Sequence, residues 1–253
     1  MRPIPQKSDF PASLTLSITT PPTPRCTNIL LLLHGLGDNI APFTSFASAL
    51  RLPETTCIAL QAPTPLPFEL PGYHWGDDVL FDPDGLDVDP GYSRATSKII
   101  RDIILPVLVK KLGYRGREIV IFGYAQGASV GLSVGLEVGR GALVDADGNG
   151  ERELGGIVAV GGVLPLSAIK EDGKGKMRTP VLLIGGQGQE SAITNAGISR
   201  TKENFENVEV VRWNGRRGDG MPSNREEMFP IMRFLASRLR STSGVPEGSV
   251  EIS

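Results

Sequence analysis

Gly123-Tyr124-Ala125-Gln126-Gly127 has the frame of a nucleophile elbow, G-x-S-x-G, with alanine in the serine's place. Such a frame makes a sharp turn from a strand into a helix and presents its central residue at the apex. The flanking residues supply that context. Glu118 to Phe122 reads as a short apolar strand ending in Gly123, and Gln126 to Val138 as the helix that starts beside Ala125. An alanine methyl cannot attack a carbonyl, so the turn is expected without the atom that normally reacts there.

A count of histidines extends the point. A nucleophilic serine needs an imidazole to take its proton and return it, and the chain holds only His34 and His74, both before the elbow. Where this elbow is used, the order along the chain is Ser, then Asp or Glu, then His. No histidine follows Ala125, so the segment that would supply the base has none.

The rest of the chain alternates strands and helices. Leu14 to Thr19 alternates apolar and polar residues as an edge strand does, while Ile29 to Leu33 is apolar throughout and reads as a strand covered on both faces. A loop from His34 to Asn39, a helix near Pro42 to Leu50 and a strand from Thr56 to Gln61 follow. Pro63, Pro65, Pro67 and Pro71 then force an extended path that could border a pocket. Asp77 to Asp89 reads as an acidic surface loop. Ser93 opens a long helical pattern through Leu108, with Pro106 expected to kink it. Ile157 to Val160, Pro180 to Ile184 and Val208 to Trp213 are further strands. Lys170 to Arg178 is a basic loop, Thr194 to Asn207 looks helical, and Arg225 to Arg240 is a closing amphipathic helix. This rhythm predicts a mostly parallel sheet covered on both faces, as a single α/β domain over residues 1–240 with a disordered tail at 241–253.

Composition narrows the function. A chain of 253 residues with 40% hydrophobic content buries a substantial core, and no long linker divides it. A formal net charge of -2, with both signs spread along the chain, removes the electrostatic argument for nucleic acid and leaves small molecules or proteins as partners. The segment 1–27 lacks the pattern of a secretory signal, and the apolar run at 29–33 is far too short to span a membrane, so a cytoplasmic location is expected. Cys26 and Cys57 are too few for a disulfide framework and suggest no metal site. Asp145-Ala146-Asp147-Gly148-Asn149-Gly150 mimics the start of a calcium loop, but Gly156 stands where the bidentate Glu would be, and a surface turn is the better reading. Asp82, Asp84, Asp87 and Asp89, among Pro83, Gly85 and Pro90, read as an ordinary loop.

Several segments together resemble the acyl-protein thioesterase and carboxylesterase/phospholipase branch of the α/β-hydrolases. They are His34-Gly35-Leu36-Gly37-Asp38, Gln61-Ala62-Pro63, His74-Trp75-Gly76-Asp77, the elbow itself and Leu164-Pro165-Leu166. The resemblance covers most of the chain and implies an α/β-hydrolase fold that needs no cofactor. It aligns the catalytic acid with Gln189, in Gly185-Gly186-Gln187-Gly188-Gln189-Glu190, and the catalytic histidine with Gly218, in Gly215-Arg216-Arg217-Gly218, followed by Asp219. On that alignment Ala125, Gln189 and Gly218 replace all three members of the triad, and loss of a whole triad costs on the order of 10⁶ in turnover. The resemblance assigns the oxyanion-binding N–H groups to Leu36 and Gln126, which side-chain loss leaves intact.

The expected protein is therefore a pseudoenzyme that binds a small acyl or ester ligand, or a protein partner, through Leu36 and Gln126, with His74 and Trp75 as further pocket residues. The rival is an active carboxylic-ester or thioester hydrolase using non-standard residues, for which Glu190, Asp219 and His74 are the available groups. His34, at a strand end before glycine, is expected to order its loop by hydrogen bonding.

Overall fold

Uninterrupted apolar runs of five or six residues need cover on both faces, and the arrangement of the chain supplies it. The computed structural model describes residues 2–78, 81–82, 85–86, 89–144, 148–170 and 175–241. Along it run β1 (Leu16–Thr19), β2 (Asn28–Leu33), α1 (Ile40–Leu50), β3 (Thr55–Leu60), β4 (Thr64–Pro65), β5 (Tyr73–His74), β6 (Phe81–Asp82), β7 (Gly85–Leu86) and α2 (Ser93–Lys98). After these come β8 (Ile119–Tyr124), α3 (Gln126–Gly139), β9 (Gly156–Val160), β10 (Val181–Gly185), α4 (Asn195–Asn204), β11 (Val208–Arg212) and α5 (Arg225–Arg238). The calcium-like start at 145–147, Asp84 and Asp87, part of the basic loop at 171–174 and the tail from 242 lie outside the described residues.

Seven strands form one sheet in the order β1-β3-β2-β8-β9-β10-β11. β1 is the antiparallel edge, with Leu16 opposite Leu60, and every other pairing in this sheet is parallel. Side chains alternate across a strand, so each strand feeds two cores. Ile29, Leu31, Ile119, Ile121 and Ile157 join one core with α3 and the helix that follows Tyr92. Leu30, Leu32, Val120, Phe122 and Val158 join the other with Phe43 of α1 and Ile231, Phe234 and Leu235 of α5. Each such buried side chain stabilises the fold by roughly 1.5–3 kcal/mol.

Three local readings change. The proline-rich path after Pro63 folds back as a hairpin, with Thr64 opposite His74 and Leu66 N–H bonded to the Gly72 carbonyl at 3.0 Å. Its strands, two residues each, are too short to show a period. Instead of a kink at Pro106, the chain continues from α2 as a π-helix over Ile99–Lys111, closed by Leu112 N–H on the Val107 carbonyl at 2.9 Å. Proline has no N–H to give to the tighter ladder.

Asp77, expected as a solvated loop acid, caps α2 from sixteen residues upstream. Its carboxylate accepts from Ser93 N–H at 2.8 Å, Ser93 Oγ at 2.7 Å and Arg94 N–H at 2.8 Å, while Tyr92, at the helix start, makes no side-chain cap. Burial pushes this carboxyl up, but the Ser93 and Arg94 hydrogen bonds with the Arg94 charge outweigh it and hold it below the usual range. Its contribution is therefore present above the unfolded carboxylate value of roughly 4 and is lost as the pH falls through the lower folded value. Asp77→Ala is expected to cost about 1–3 kcal/mol at neutral pH in urea unfolding, with the gap to the parent chain narrowing in acid. An unchanged gap would remove Asp77 from this role.

Candidate functional site

β8 delivers Tyr124 to the carboxyl end of the sheet, and Ala125 then turns the chain at φ 49° and ψ -116° into α3. A non-glycine residue in this region carries on the order of 1–3 kcal/mol of strain, which its surroundings must hold. Two close approaches hold it. A Cβ on Gly123 would lie 2.3 Å from the Gly127 carbonyl oxygen, and one on Gly127 would lie 2.3 Å from the Leu33 oxygen and 2.5 Å from that of His34. Both framing glycines are thus required by packing. Ala125 N–H donates to the Val160 carbonyl at 2.8 Å, which ties the apex to β9.

The loop after β2 lies against this apex. A Cβ on Gly35 would be 3.5 Å from the Ala125 methyl, so the neighbouring Leu36 sits beside the turn. The backbone N–H groups of Leu36 and of Gln126, the first residue of α3, find no partner among the described residues. The Gln126 side chain accepts from Trp75 N–H at 3.1 Å, and the Trp75 indole donates to the His34 carbonyl at 2.8 Å.

His34 is fully buried and committed on both ring nitrogens. Ala62 N–H donates to Nε2 at 3.0 Å, so the ring proton sits on Nδ1 and is given to the Gly35 carbonyl at 2.7 Å. Its ring also packs on Trp75, with centroids 5.4 Å apart. Neither nitrogen is left to move a proton at Ala125. His74 and Trp75 are 4% and 3% exposed, which makes them inner supports of the hairpin and loop. The His74 Nδ1 is buried without a hydrogen-bond partner, and no hydrogen bond among the described residues joins it to Glu190 or Asp219.

At the carboxyl ends of β10 and β11 the site is held by Asp219, whose weight was not apparent from its place after Gly218. Its carboxylate accepts from Gly186 N–H at 2.9 Å, Ser191 Oγ at 2.8 Å and Ala192 N–H at 2.7 Å, tying one loop to the other. Its Cβ lies 2.6 Å from where a Cβ on Gly161 would be, next to the Val160 that holds Ala125. Burial and then the Asp219 charge keep the Tyr124 phenol above its ordinary pKa. Gln189 is exposed. Glu190 Oε2 lies 3.5 Å from a Cβ built on Gly218.

This geometry, an elbow between β8 and α3 with a His-Gly loop beside it, agrees with a sequence comparison: the Phospholipase/Carboxylesterase family model matches residues 15–237. The chain belongs to the phospholipase/carboxylesterase family. An uncharacterized hydrolase of Schizosaccharomyces pombe is 30% identical over 217 residues, covering 84% of this chain and 83% of the relative. One of Mycosarcoma maydis is also 30% identical over 217 residues, covering 85% and 77%. Among solved structures, Zea mays acyl-protein thioesterase 2 superposes with a TM-score of 0.65 at 20% identity, over 89% of this chain and 99% of that one. Esterase PE8 gives 0.67 at 18%, with the same coverage. At these identities the structural likeness speaks to the fold alone.

Within this family member, a cavity of about 340 Å³ lies behind Trp75, bordered by Leu14, Pro63 and Lys98, and Ala125 is not in its wall. Pro63 thus does border a pocket. Among the described residues no group of three His, Cys, Asp or Glu side chains could hold a metal, and no helix is long and apolar enough to cross a membrane.

Burial holds both His34 and His74 below the ordinary imidazole range, with the Arg94 charge acting in the same direction on His74. The unfolded chain then binds protons that the folded one refuses, so stability is full above the unfolded value of about 6.5 and falls as the pH drops below it. NMR titration is expected to place both midpoints below the ordinary imidazole value, with urea midpoints decreasing as the pH falls below about 6.5. An imidazole at either position that is half-protonated at or above its ordinary value would contradict this assignment.

Proposed function

We propose that this chain is a catalytically inactive member of the phospholipase/carboxylesterase family that uses the retained elbow to bind the carbonyl or carboxylate of an acyl or ester ligand. The observation that carries the reading is a strained turn kept around a methyl group, with the N–H groups of Leu36 and Gln126 unpartnered beside it. Those donors and the positive end of α3 suit a partial or full negative charge. Hydrolysis lacks its parts: Ala125 has no nucleophile, position 218 has no side chain, and His34 has no free nitrogen.

The purified chain is expected to hydrolyse p-nitrophenyl butyrate and acyl thioesters no faster than background, and to take no label from a fluorophosphonate. Turnover well above background, or labelling, would establish the rival active hydrolase. A rise in melting temperature with fatty acids supports the binding site, and its absence across a chain-length series favours a protein partner. The double change Ala125→Ser with Gly218→His places an imidazole beside Glu190 and is expected to gain fluorophosphonate labelling that Ala125→Ser alone lacks.

A further inference from the structure

We infer that the arginine-lined cleft at the amino ends of β8 to β11 is a second ligand site, built for a phosphate monoester on a hydroxylated, non-aromatic body, a sugar phosphate in class. This inference is independent of the reading of the elbow. The cleft has a volume of about 400 Å³, within the range of small-molecule sites, and is closed on one side by the end of α5. The length of β8, roughly 17 Å, separates it from Ala125.

Its charge is one-sided. Arg117, Arg178, Arg238 and Arg240 stand in the wall against Glu153 and Glu206, in a chain whose net charge is -2. The neighbouring acids are already engaged: Glu118 takes Arg2 at 3.1 Å as well as Arg240 at 3.9 Å, and Glu153 lies 3.6 Å from Arg178. Arg238 bonds the adjacent Ser237 hydroxyl at 3.1 Å and reaches no acid among the described residues. Burial and then the Arg117 charge pull the Arg240 guanidinium below its ordinary range, so like charges crowd at this point. The surplus of two arginines over glutamates in the wall matches one phosphate dianion, whose oxygens suit planar guanidinium groups.

The backbone fixes where these groups stand. Arg240 N–H donates to Asn28 Oδ1 at 2.8 Å, and its carbonyl accepts from Asn28 Nδ2 and Thr27 Oγ1, each at 2.8 Å, which anchors the chain beyond α5 to the start of β2. A Cβ on Gly155 would lie 2.5 Å from the Arg117 carbonyl oxygen, and one on Gly156 would lie 3.3 Å from Arg238 Cγ, so both arginines close on the start of β9. Three arginines therefore gather on the β2–β9 side. Glu206 and Asn207 stand before β11, three strand spacings or roughly 14 Å from β8, and their side chains make no hydrogen bond among the described residues. A carboxylate and an amide there accept from sugar hydroxyls. Among the described residues only Leu154 and Pro180 are apolar in the wall and no aromatic ring enters it, so a nucleobase finds nothing to stack on. None of the exposed large apolar side chains, Phe68, Leu70, Leu166 and Phe229, lines it, which favours a soluble ligand over a lipid head group.

Isothermal titration of the full chain with glucose 6-phosphate, orthophosphate and glucose tests both halves of the site. Glucose 6-phosphate is expected to bind about tenfold more tightly than orthophosphate, and glucose not at all up to about 10 mM. Arg238→Gln should weaken both phosphates about tenfold, and Arg238→Lys, which keeps the charge and loses the fork, about threefold. Glu206→Ala, on an exposed residue, separates recognition from charge. Removing an acid tightens both phosphates if attraction alone acts, whereas loss of a hydroxyl acceptor weakens glucose 6-phosphate about fivefold and leaves orthophosphate no weaker. The inference is overturned by equal affinity for the two phosphates, by no saturable binding of either, by indifference to Arg238→Gln, or by tighter glucose 6-phosphate binding in Glu206→Ala. Binding only to phosphatidylcholine vesicles that carry phosphatidylinositol 4-phosphate overturns it too. The comparison of ligands on the unaltered chain needs no variant, so the inference stays open to refutation even where a substitution fails to fold.

Discussion

The site depends on one contact, that of Gly127 with the carbonyl oxygens of Leu33 and His34, where no Cβ can be inserted. It brings the amino end of α3 against the carboxyl end of β2, and Ala125 then has no relaxed route between β8 and the helix. From the same place a chain of hydrogen bonds leads outward. His34 receives the indole of Trp75 on its carbonyl and Ala62 on its ring, and Trp75 returns to Gln126 through its own N–H. Elbow, His-Gly loop and hairpin therefore form one unit.

Asp219 does for the far side what His34 does for the near side. In a hydrolase of this order the loops after β10 and β11 are coupled by an acid and a base. Here one carboxylate spans them, taking three hydrogen bonds from the loop at 186–192. A half-buried carboxylate with three donors is well satisfied. The arrangement fixes the two loops against each other.

Much of this was legible in the sequence because it rests on local pattern. The apolar runs at 29–33, 118–122 and 180–184 read as strands, the first as one covered on both faces, and the glycine spacing at 123 and 127 marks the turn. His-Gly at 34–35 orders its loop through hydrogen bonds on both ring nitrogens, as a His-Gly at a strand end suggests. What escaped reading depends on distance in the chain. Asp77 caps a helix that starts at Ser93, and Asp219 bonds a loop 27 to 33 residues before it. Acids in Gly- and Pro-rich loops look alike until the backbone donors they meet are known. Glu190 is a further case, since alignment by motif favours Gln189 whereas proximity to position 218 favours its neighbour.

The energetics of Ala125 bear on why the turn persists. A glycine there would adopt φ 49° without steric cost, whereas alanine bears the strain that a serine would bear. The turn is held by the Gly123 and Gly127 contacts and by the bond to Val160, all of which involve backbone and are indifferent to the side chain at the apex. Removing a hydroxyl therefore leaves the backbone donors of Leu36 and Gln126 where they were and replaces a polar atom beside them with a methyl. On the proposed reading, a carbonyl or carboxylate oxygen bound there keeps its donors and meets no nucleophile, so occupancy is set by binding equilibrium and not by turnover.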